Sequence, residues 1–360
     1  MKLALRQARK GLGKTSPNPA VGALVVRGED ILAKGFHQKA GGPHAEVEAL
    51  EKLGRKASGC TMYVTLEPCN HYGKTPPCTE AILDSGIKRV VIGMEDPNPS
   101  VKGGGVHYLK AKGLEVVTGV LEEECRRFYE AYVKFLKTST PFVVLKTALT
   151  LDGWTATSSK HSQWITTERS RRLVHTMRAE SDGILVGVGT VISDDPSLTA
   201  RKGGRPGPGP TRILLDTHLR TPLKAKVFRD LSLSSTVVVV GDKTRKPRKM
   251  AILENLGVEV IRCPIRDGRI DLRALMDILG GMNIMSLLVE GGARVVGSLL
   301  RARLVDKVHI FLAPKLLLGG DGVPMAAGSG VDSMDEALTL RDMEVKRVDR
   351  DILVTGYPEY

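Results

Sequence analysis

Apolar residues recur along this chain with two periods, and the switches between them mark its elements. AVGALVVRGEDILAKGFH, residues 20–37, places two apolar stretches around a Gly-Glu-Asp turn and predicts a β-hairpin. HAEVEALEKLGRKA, 44–57, moves to the three-to-four spacing of an amphipathic helix. TMYVTLEPC, 61–69, reads as a strand that ends at a Pro-Cys turn. TEAILDSGIKRVVIGMEDPNP, 79–99, predicts a helix and then a buried strand, and GGVHYLKAKGLEVVTGV, 104–120, repeats that order. LEEECRRFYEAYVKFLKT, 121–138, reads as one longer amphipathic helix, broken by TSTPF at 138–142.

A second series then begins. PFVVLKTALTLDG is a strand, TTERSRRLVHTMRAESD a helix and GILVGVGTV a buried strand. RKGGRPGPGP, 201–210, reads as a loop within this domain, because TRILLDT and STVVVVGD follow with the same kind of apolar strand. IMSLLVEGGARVVGSLLRARLVDKVHIFLAP reads as strand, glycine turn, helix and strand. Helices alternating with strands predict layered α/β architecture in both halves. At 360 residues the chain is long for one domain, and the patterns divide it into 1–143 and 144–360.

Composition narrows the class. No apolar run reaches the length of a membrane span, and the first residues lack the apolar core of a secretory signal, so a cytoplasmic protein is expected. Five cysteines, an odd number at uneven spacing, argue against a disulfide framework. The net charge of +13 raises the question of a nucleic-acid partner. It divides into +6 over residues 1–143 and +7 over the rest. KTRKPRK, 243–249, is the longest basic run and reads as a solvated loop. General solubility or a phosphorylated small molecule accounts for that distribution without a nucleic acid.

The chemistry is concentrated in GGPHAEVEAL and TLEPCNHYGKTPPC. His44 and Glu46 lie two positions apart at a helix start, and Cys69 and Cys78 follow a strand end. His-x-Glu, then Pro-Cys, then a second Cys is the order found in zinc-dependent nucleobase deaminases. One imidazole and two thiolates fill three tetrahedral positions on Zn²⁺ and leave the fourth for a water whose pKa the metal lowers. A carboxylate that is not a ligand must then move protons, which assigns that part to Glu46. Deaminases of this kind commonly separate their cysteines by two residues; here eight do, and the insert puts His71 and Lys74 beside the expected metal. Cys60, Cys125 and Cys263 fall outside the pattern and read as structural thiols.

TSPNPAVGALVV, GGPHAEVEAL, TLEPCNHYGKTPPCTEAI and MEDPNPSVKGGG, followed by LKTALTLDG, the long SQWITTERS…SLTAR segment and LLVEGGARVVGSLL, together resemble the bifunctional riboflavin-biosynthesis deaminase/reductase family. The resemblance covers nearly the whole chain. It implies a cytidine-deaminase-like α/β/α domain fused to a dihydrofolate-reductase-like α/β domain. It further implies hydrolysis of the 2-amino group of 2,5-diamino-6-(5-phosphoribosylamino)pyrimidin-4(3H)-one. Reduction of the ribosyl side chain by NADPH would follow, ending at 5-amino-6-(5-phosphoribitylamino)uracil. On the family pattern zinc falls on His44, Cys69 and Cys78, and deaminase substrate contacts on Asn18, His37, His71, Lys74, Asp96 and Asn98. The extra lysine and glycine in DPNPSVKGGGVHYL, where the family turn is more compact, imply a local loop change.

The second half shows no metal-ligand cluster in its sequence. A strand–Gly-Gly–helix turn at LLVEGGARVVGSLL can cradle a pyrophosphate on helix amides, but the same turn also serves plain chain reversal. No G-x-G-x-x-G follows a strand, so a Rossmann domain is not indicated. The resemblance assigns NADP contacts to Ala148, Trp164, Thr190, Asp194, Thr217 and the run Gly292, Ala293, Arg294, Val295, Val296, Gly297 and Ser298. It assigns reductase substrate contacts to Ser162, Arg178, Leu198, Arg201 and Glu290. The forks of Arg178 and Arg201 suit a 5-phosphate. Lys146 and Asp194 are the proton-donor candidates, with Asp195 next to the latter.

Two other classes compete. A nucleic-acid base deaminase would share the zinc elements, but the cysteine spacing, the 4% aromatic content and the whole second domain oppose it. A non-catalytic binding protein would not need all three ligands together with Glu46. A small phosphorylated pyrimidine as substrate, zinc and NADPH as cofactors, and a homo-oligomer without nucleic-acid or membrane partner are therefore expected.

Overall fold

Two compact units make up the chain, Met1–Ser139 and Thr140–Tyr360. The computed structural model describes residues 1–72, 76–98, 104–202 and 205–360. The division falls ahead of the expected boundary after residue 143, because residues 142–150 form one continuous ladder with the second unit. Among the described residues no helix is long and apolar enough to cross a membrane.

The first unit is built on the strands β1 (Gly22–Arg27), β2 (Asp30–Phe36), β3 (Thr61–Leu66), β4 (Arg89–Met94) and β5 (Glu115–Val117), in the order β2-β1-β3-β4-β5. The β1/β2 and β1/β3 pairs are antiparallel, and β3, β4 and β5 run parallel. Around the sheet lie α1 (Lys2–Ala8), α2 (Ala45–Glu51), α3 (Cys78–Asp84), α4 (Gly105–Ala111), α5 (Glu122–Phe128) and α6 (Glu130–Thr138). The predicted single helix over 121–138 is therefore two, separated at Tyr129, where φ is −95° and ψ 10°. The buried Tyr129 ring takes that position with its hydroxyl bonded to Thr65 and the Ala20 carbonyl. Helix α1, for which no element was predicted, seals the N-terminal end.

Two glycines set how closely helices approach this sheet. A Cβ on Gly22 would stand 2.1 Å from the Ala4 carbonyl oxygen of α1, and one on Gly35 would stand 2.1 Å from the Ala45 oxygen of α2. Gly35 pairs with Ala23, the neighbour of Gly22, so the two glycines lie on opposite faces. Helices α1 and α2 thus cover opposite sides, which makes a three-layer unit. Because α2 begins beside His44 and carries Glu46, its seat on Gly35 also sets the chemistry. Gly35→Ala is expected to force α2 outward at a cost of about 1–3 kcal/mol and to weaken metal retention. Thermal unfolding together with the zinc content of the purified variant checks this, and a variant that melts and loads like the parent would disprove the tight seat.

The second unit is dominated by a nine-stranded sheet in the order β13-β12-β11-β8-β16-β6-β17-β20-β19. In chain order its elements are β6 (Phe142–Thr150), β7 (Trp154–Ala156), α7 (Glu168–Glu180), β8 (Gly183–Gly187), α8 (Val188–Asp194), β9 (Ala200–Lys202), β10 (Arg205–Gly207), β11 (Thr211–Leu215) and β12 (Thr236–Gly241). Then follow α9 (Pro247–Asn255), β13 (Glu259–Cys263), β14 (Ile265–Arg266), β15 (Arg269–Ile270), α10 (Leu272–Gly281), β16 (Ser286–Val289), α11 (Ala293–Arg301), β17 (Lys307–Ala313), β18 (Val323–Pro324), β19 (Leu340–Val348) and β20 (Asp351–Pro358). The strands from β13 to β17 run parallel, and the β19–β20 hairpin adds antiparallel at the edge.

Here the sequence reading needs two corrections. GILVGVGTV is not one strand: it turns at Gly187 into α8. The apolar run continues because both the strand and the inner face of the helix are buried, a case that periodicity alone does not separate. Within the Gly/Pro-rich segment, β9 and β10 pair as a short antiparallel hairpin, with residues 203–204 outside the described set. The parallel strands β6, β16, β8, β11 and β12 all point their carboxyl ends to one edge of the sheet, where open α/β sheets place their ligands.

Candidate active sites

In the first unit the strand–helix junctions converge. His44 is the residue before α2, Cys69 follows β3, and Cys78 opens α3. The His44 Nδ1 lies 3.2 Å from the Cys78 Sγ and 3.5 Å from the Cys69 Sγ. Each of the three residues offers a ligand atom within 4.8 Å of the other two, and they form the one such group found among the described residues. Tetrahedral zinc, bonded to sulfur at about 2.3 Å and to nitrogen at about 2.0–2.1 Å, sets neighbouring ligands roughly 3.5–3.8 Å apart, so the triangle fits the ion. Backbone contacts hold the triangle: the Thr79 amide donates to the Cys69 carbonyl and the Cys78 amide to the Cys69 sulfur.

Electrostatics favours the same ion. Hydrogen bonding from Cys78, with His44 adding to it, pulls the Cys69 thiol down to about 4. Cys78 is pushed well up by Cys69 and by burial. Two adjacent thiols that cannot both ionise alone are the donor set that a dication satisfies. Glu46 is buried beside them, and burial lifts its carboxyl to about 7 despite the nearby His44. A buried carboxyl poised near neutrality can both take and give a proton.

Of the residues expected to bind substrate, His37 adjoins the triangle and Asn18 adjoins His37. His37 is buried, its Nδ1 bonded to the Pro43 carbonyl at 2.9 Å and its Nε2 3.4 Å from the Asn18 amide nitrogen. Its ring meets that of His44 edge-on at 5.2 Å. Asp96 accepts from the Asn98 amide at 2.9 Å and from the Tyr132 hydroxyl, and burial raises its pKa. His71 is exposed and acts on the Asp96 charge. Lys74, Lys102 and Gly103 lie outside the described residues, whereas Gly104 caps α4 and Gly105, the third glycine of the run, opens it.

The second unit holds a cleft of about 1470 Å³ at the carboxyl edge of its parallel strands. This exceeds the roughly 300–1,000 Å³ usual for one small ligand and leaves room for two. Lys146, Ala148, Ser162, Trp164, Arg178, Thr190, Asp194, Leu198, Arg201, Thr217 and Glu290 all line it. So do Gly292, Ala293, Arg294, Val295, Val296 and Ser298. Gly297 does not: a Cβ there would press on the Ala327 carbonyl at 2.2 Å, so it serves packing behind the helix.

Glu290, at the end of β16, organises the cleft. Its carboxylate accepts from the Arg178 Nε at 2.6 Å and from Nη2 at 2.8 Å, and the Lys146 Nζ stands 3.8 Å away. Burial alone would raise this carboxyl, but Arg178 and then Lys146 outweigh it and hold the group at about 2. Burial also lowers the Lys146 pKa against the pull of Glu290. The bidentate pair occupies the Nε–Nη2 edge of the Arg178 guanidinium, and its Nη1 donates to the Thr199 carbonyl. Arg201 is exposed and lines the same cleft. Asp194 is exposed on α8 and accepts from Ser193. Asp195 is engaged by the Lys226 amide.

Residues 141–354 match the model of the RibD C-terminal domain, and residues 1–94 match the cytidine and deoxycytidylate deaminase zinc-binding region. The chain is 44% identical over 354 residues to the riboflavin biosynthesis protein RibD of Aquifex aeolicus, covering 98% of this chain and 96% of that protein. The chain belongs to the RibD family. It is 37% identical to the Escherichia coli RibD over 98% of this chain and 96% of that one. A Thermotoga maritima diaminohydroxyphosphoribosylaminopyrimidine deaminase/5-amino-6-(5-phosphoribosylamino)uracil reductase superposes with a TM-score of 0.84 at 39% identity, covering 100% and 97% of the two chains. RibD of Acinetobacter baumannii superposes with a TM-score of 0.86 at 36% identity, covering 100% and 98%.

As a RibD protein, the chain is a bifunctional deaminase and reductase of riboflavin biosynthesis, with a cytidine-deaminase-like unit ahead of a dihydrofolate-reductase-like one. Its cofactors are zinc and NADPH. The residues fit the second cofactor as well as the first. Gly291 and Gly292 hold φ at 132° and 84°, conformations that leave the backbone amides before α11 open to a pyrophosphate.

Several residues of this RibD chain escaped the sequence reading. Glu67 accepts from the Asp96 amide at 3.0 Å and the Val106 amide at 2.9 Å, and so ties the Asp96 turn to α4. Arg171 and His175 line the reductase cleft on the face of α7 that carries Arg178, and Arg171 stacks on Trp164 at 4.3 Å. Their helical spacing of four and then three was a legible signal. The Glu67 contacts, which join residues about thirty and forty positions apart, were not.

Proposed function

We propose that residues 1–143 deaminate 2,5-diamino-6-(5-phosphoribosylamino)pyrimidin-4(3H)-one and that residues 144–360 reduce the resulting 5-amino-6-(5-phosphoribosylamino)uracil to the ribityl product. The observation that carries this reading is the pairing, on one chain, of a His/Cys/Cys triangle beside a buried glutamate with a large cationic cleft. The Thermotoga relative bears both of those activities in its name.

In the first reaction the oxygen of water replaces the 2-amino group, which leaves as ammonia. His44, Cys69 and Cys78 would hold the zinc ion, which would supply Lewis acidity at this site. Glu46 takes the proton from water, delivers it to the ring nitrogen and then carries a proton to the departing amine. Asn18, His37, His71, Lys74, Asp96 and Asn98 bind and orient the substrate.

In the second reaction the ring-opened sugar imine gains two electrons and two hydrogens. NADPH, when bound in the cleft, would supply the hydride. Lys146, inside the cleft and with its ammonium destabilised by burial, delivers the proton, whereas Asp194 on the exposed rim serves as a cofactor contact. Arg201 takes the 5-phosphate. Ser162, Leu198, Arg178 and Glu290 shape the substrate end. Ala148, Trp164, Thr190, Thr217 and the start of α11 hold the cofactor.

A homo-oligomer through the reductase unit suits the outer strand β19, which exposes Met343 and Val345. Cytoplasmic residence suits the five cysteines, all of them free. The test is the mass of the product made from the diaminopyrimidine phosphate by zinc-loaded protein with NADPH. Exchange of an amino group for oxygen plus a gain of two hydrogens is expected. Exchange alone would overturn the reductase assignments from Lys146 to Glu290, and no exchange would overturn those around Glu46.

A further inference from the structure

Two buried tyrosines stand three residues apart across the junction of α5 and α6, and their hydroxyls serve different ends. Tyr129 bonds to Thr65 and to the Ala20 carbonyl, so its hydroxyl is taken up inside the framework of the sheet. Tyr132, in the first turn of α6, is 6% exposed, and its ring meets that of Tyr129 at 6.4 Å. Its hydroxyl donates to the Asp96 carboxylate, 3.2 Å from Oδ1 and 3.3 Å from Oδ2. The Asn98 side chain bonds to the same hydroxyl. Burial and then the Asp96 charge push this phenol above its ordinary pKa, so it keeps its proton and stays a donor to the carboxylate.

The main chain and the side chain of Asp96 are held by different groups. Glu67 accepts from the Asp96 amide and so fixes the backbone of the loop after β4. The carboxylate can still turn about its own side-chain bonds. The Asn98 amide, 2.9 Å from Oδ1, belongs to the same loop and moves with it. Tyr132 reaches the carboxylate from a separate helix, 36 positions along the chain. A hydroxyl set across both oxygens fixes the plane of the carboxylate. Each carboxylate oxygen carries two lone pairs, so Oδ2 retains room for a donor on the substrate. The exposed His71, another expected substrate contact, acts on the same carboxylate through its charge.

We propose that Tyr132 is a positioning residue of the deaminase: its hydroxyl sets the Asp96 carboxylate and the Asn98 carboxamide in the orientation that receives the substrate. This role rests on the reading of Asp96 and Asn98 as substrate contacts. A side chain already held in its bound orientation need not be immobilised when the substrate arrives, which strengthens binding by about 3- to 10-fold. The gain is the same for ground state and transition state, so it appears in KM and leaves kcat alone.

The test is steady-state ammonia release from the diaminopyrimidine phosphate by the full zinc-loaded chain. Four proteins are compared: the parent, Y132F, D96A/N98A, and the variant that joins all three substitutions. Phenylalanine fills the space of the tyrosine ring and removes only the hydroxyl. Kinetics are taken at a temperature where circular dichroism shows all four folded, with zinc content measured on each. Y132F should raise KM by about 3- to 10-fold while kcat stays within about twofold of the parent. D96A/N98A should lose at least about 10-fold in kcat/KM, and adding Y132F to it should change that by less than about twofold. A tyrosine that merely packs α6 would cost the same in both backgrounds. That result, or a Y132F enzyme with the KM of the parent, would overturn the positioning role while the substrate reading stood. Full activity in D96A/N98A would remove Asp96 and Asn98 from the substrate contacts, and the role of Tyr132 with them.

Discussion

Glu46→Gln should cut ammonia release from the diaminopyrimidine phosphate by about 10²–10⁴-fold while the protein keeps its zinc. Glutamine has the size and shape of glutamate, so the packing at this buried position survives. The three metal-ligating atoms belong to His44, Cys69 and Cys78, and Glu46 is not among them. What disappears is the proton carrier: an amide cannot accept the proton of water and pass it on. Ammonia release measured alongside metal content separates the two roles. Zinc lost with the activity would make Glu46 a structural support of the metal. Ammonia release within tenfold of the parent would show that another group moves the proton.

Glu290→Ala should destabilise the second unit by about 3–5 kcal/mol, lowering its melting temperature by roughly 10 °C. The carboxylate is the sole acidic partner seen for Arg178 and Lys146 among the described residues, and all three side chains are largely buried. Removing it leaves two cations in a poor solvent for charge, which costs more than the pair itself contributes. The pH dependence gives an independent check. The folded carboxyl is held at about 2, below its ordinary 4.5. A depressed acid stabilises the fold fully above the unfolded value and loses that contribution as pH falls through the folded one. The stabilisation is about 3 kcal/mol, so the gap between parent and variant should be complete above about pH 5 and close toward pH 2. Calorimetric melting of both proteins across that range would show it. A gap that stays constant down to pH 2 would mean that Glu290 stabilises by packing and not by charge.

Much of the deaminase site could be read before any fold was known. His44 and Glu46 share one helix start and Cys69 and Cys78 flank one loop, and it was the order of these residue types that made the site legible, since the fold has to bring His44 and Cys78 together across 34 residues. The reductase site was legible mainly through resemblance. Its central interaction, Arg178 with Glu290, spans 112 residues, and periodicity carries no trace of it. The same reading offered both Arg178 and Arg201 to the phosphate. In the fold Arg178 is paired with Glu290, whereas Arg201 is exposed at the cleft.

From the sequence alone came the alternation of helix and strand and the two-part division, which rest on local periodicity, and the residue types of the zinc triangle with its carboxyl, which rest on the order of a motif. Tertiary structure decided what depends on long-range pairing. It turned the end of an apolar run into α8, because burial on every side hides the change of period. It broke one amphipathic helix at Tyr129, where a buried hydroxyl satisfies Thr65 and the Ala20 carbonyl. It aligned β6, β16, β8 and β11 so that residues from all four strand ends share one cleft. Strand order is set by which buried faces fit together across the whole sheet, and no local stretch of the chain contains that information.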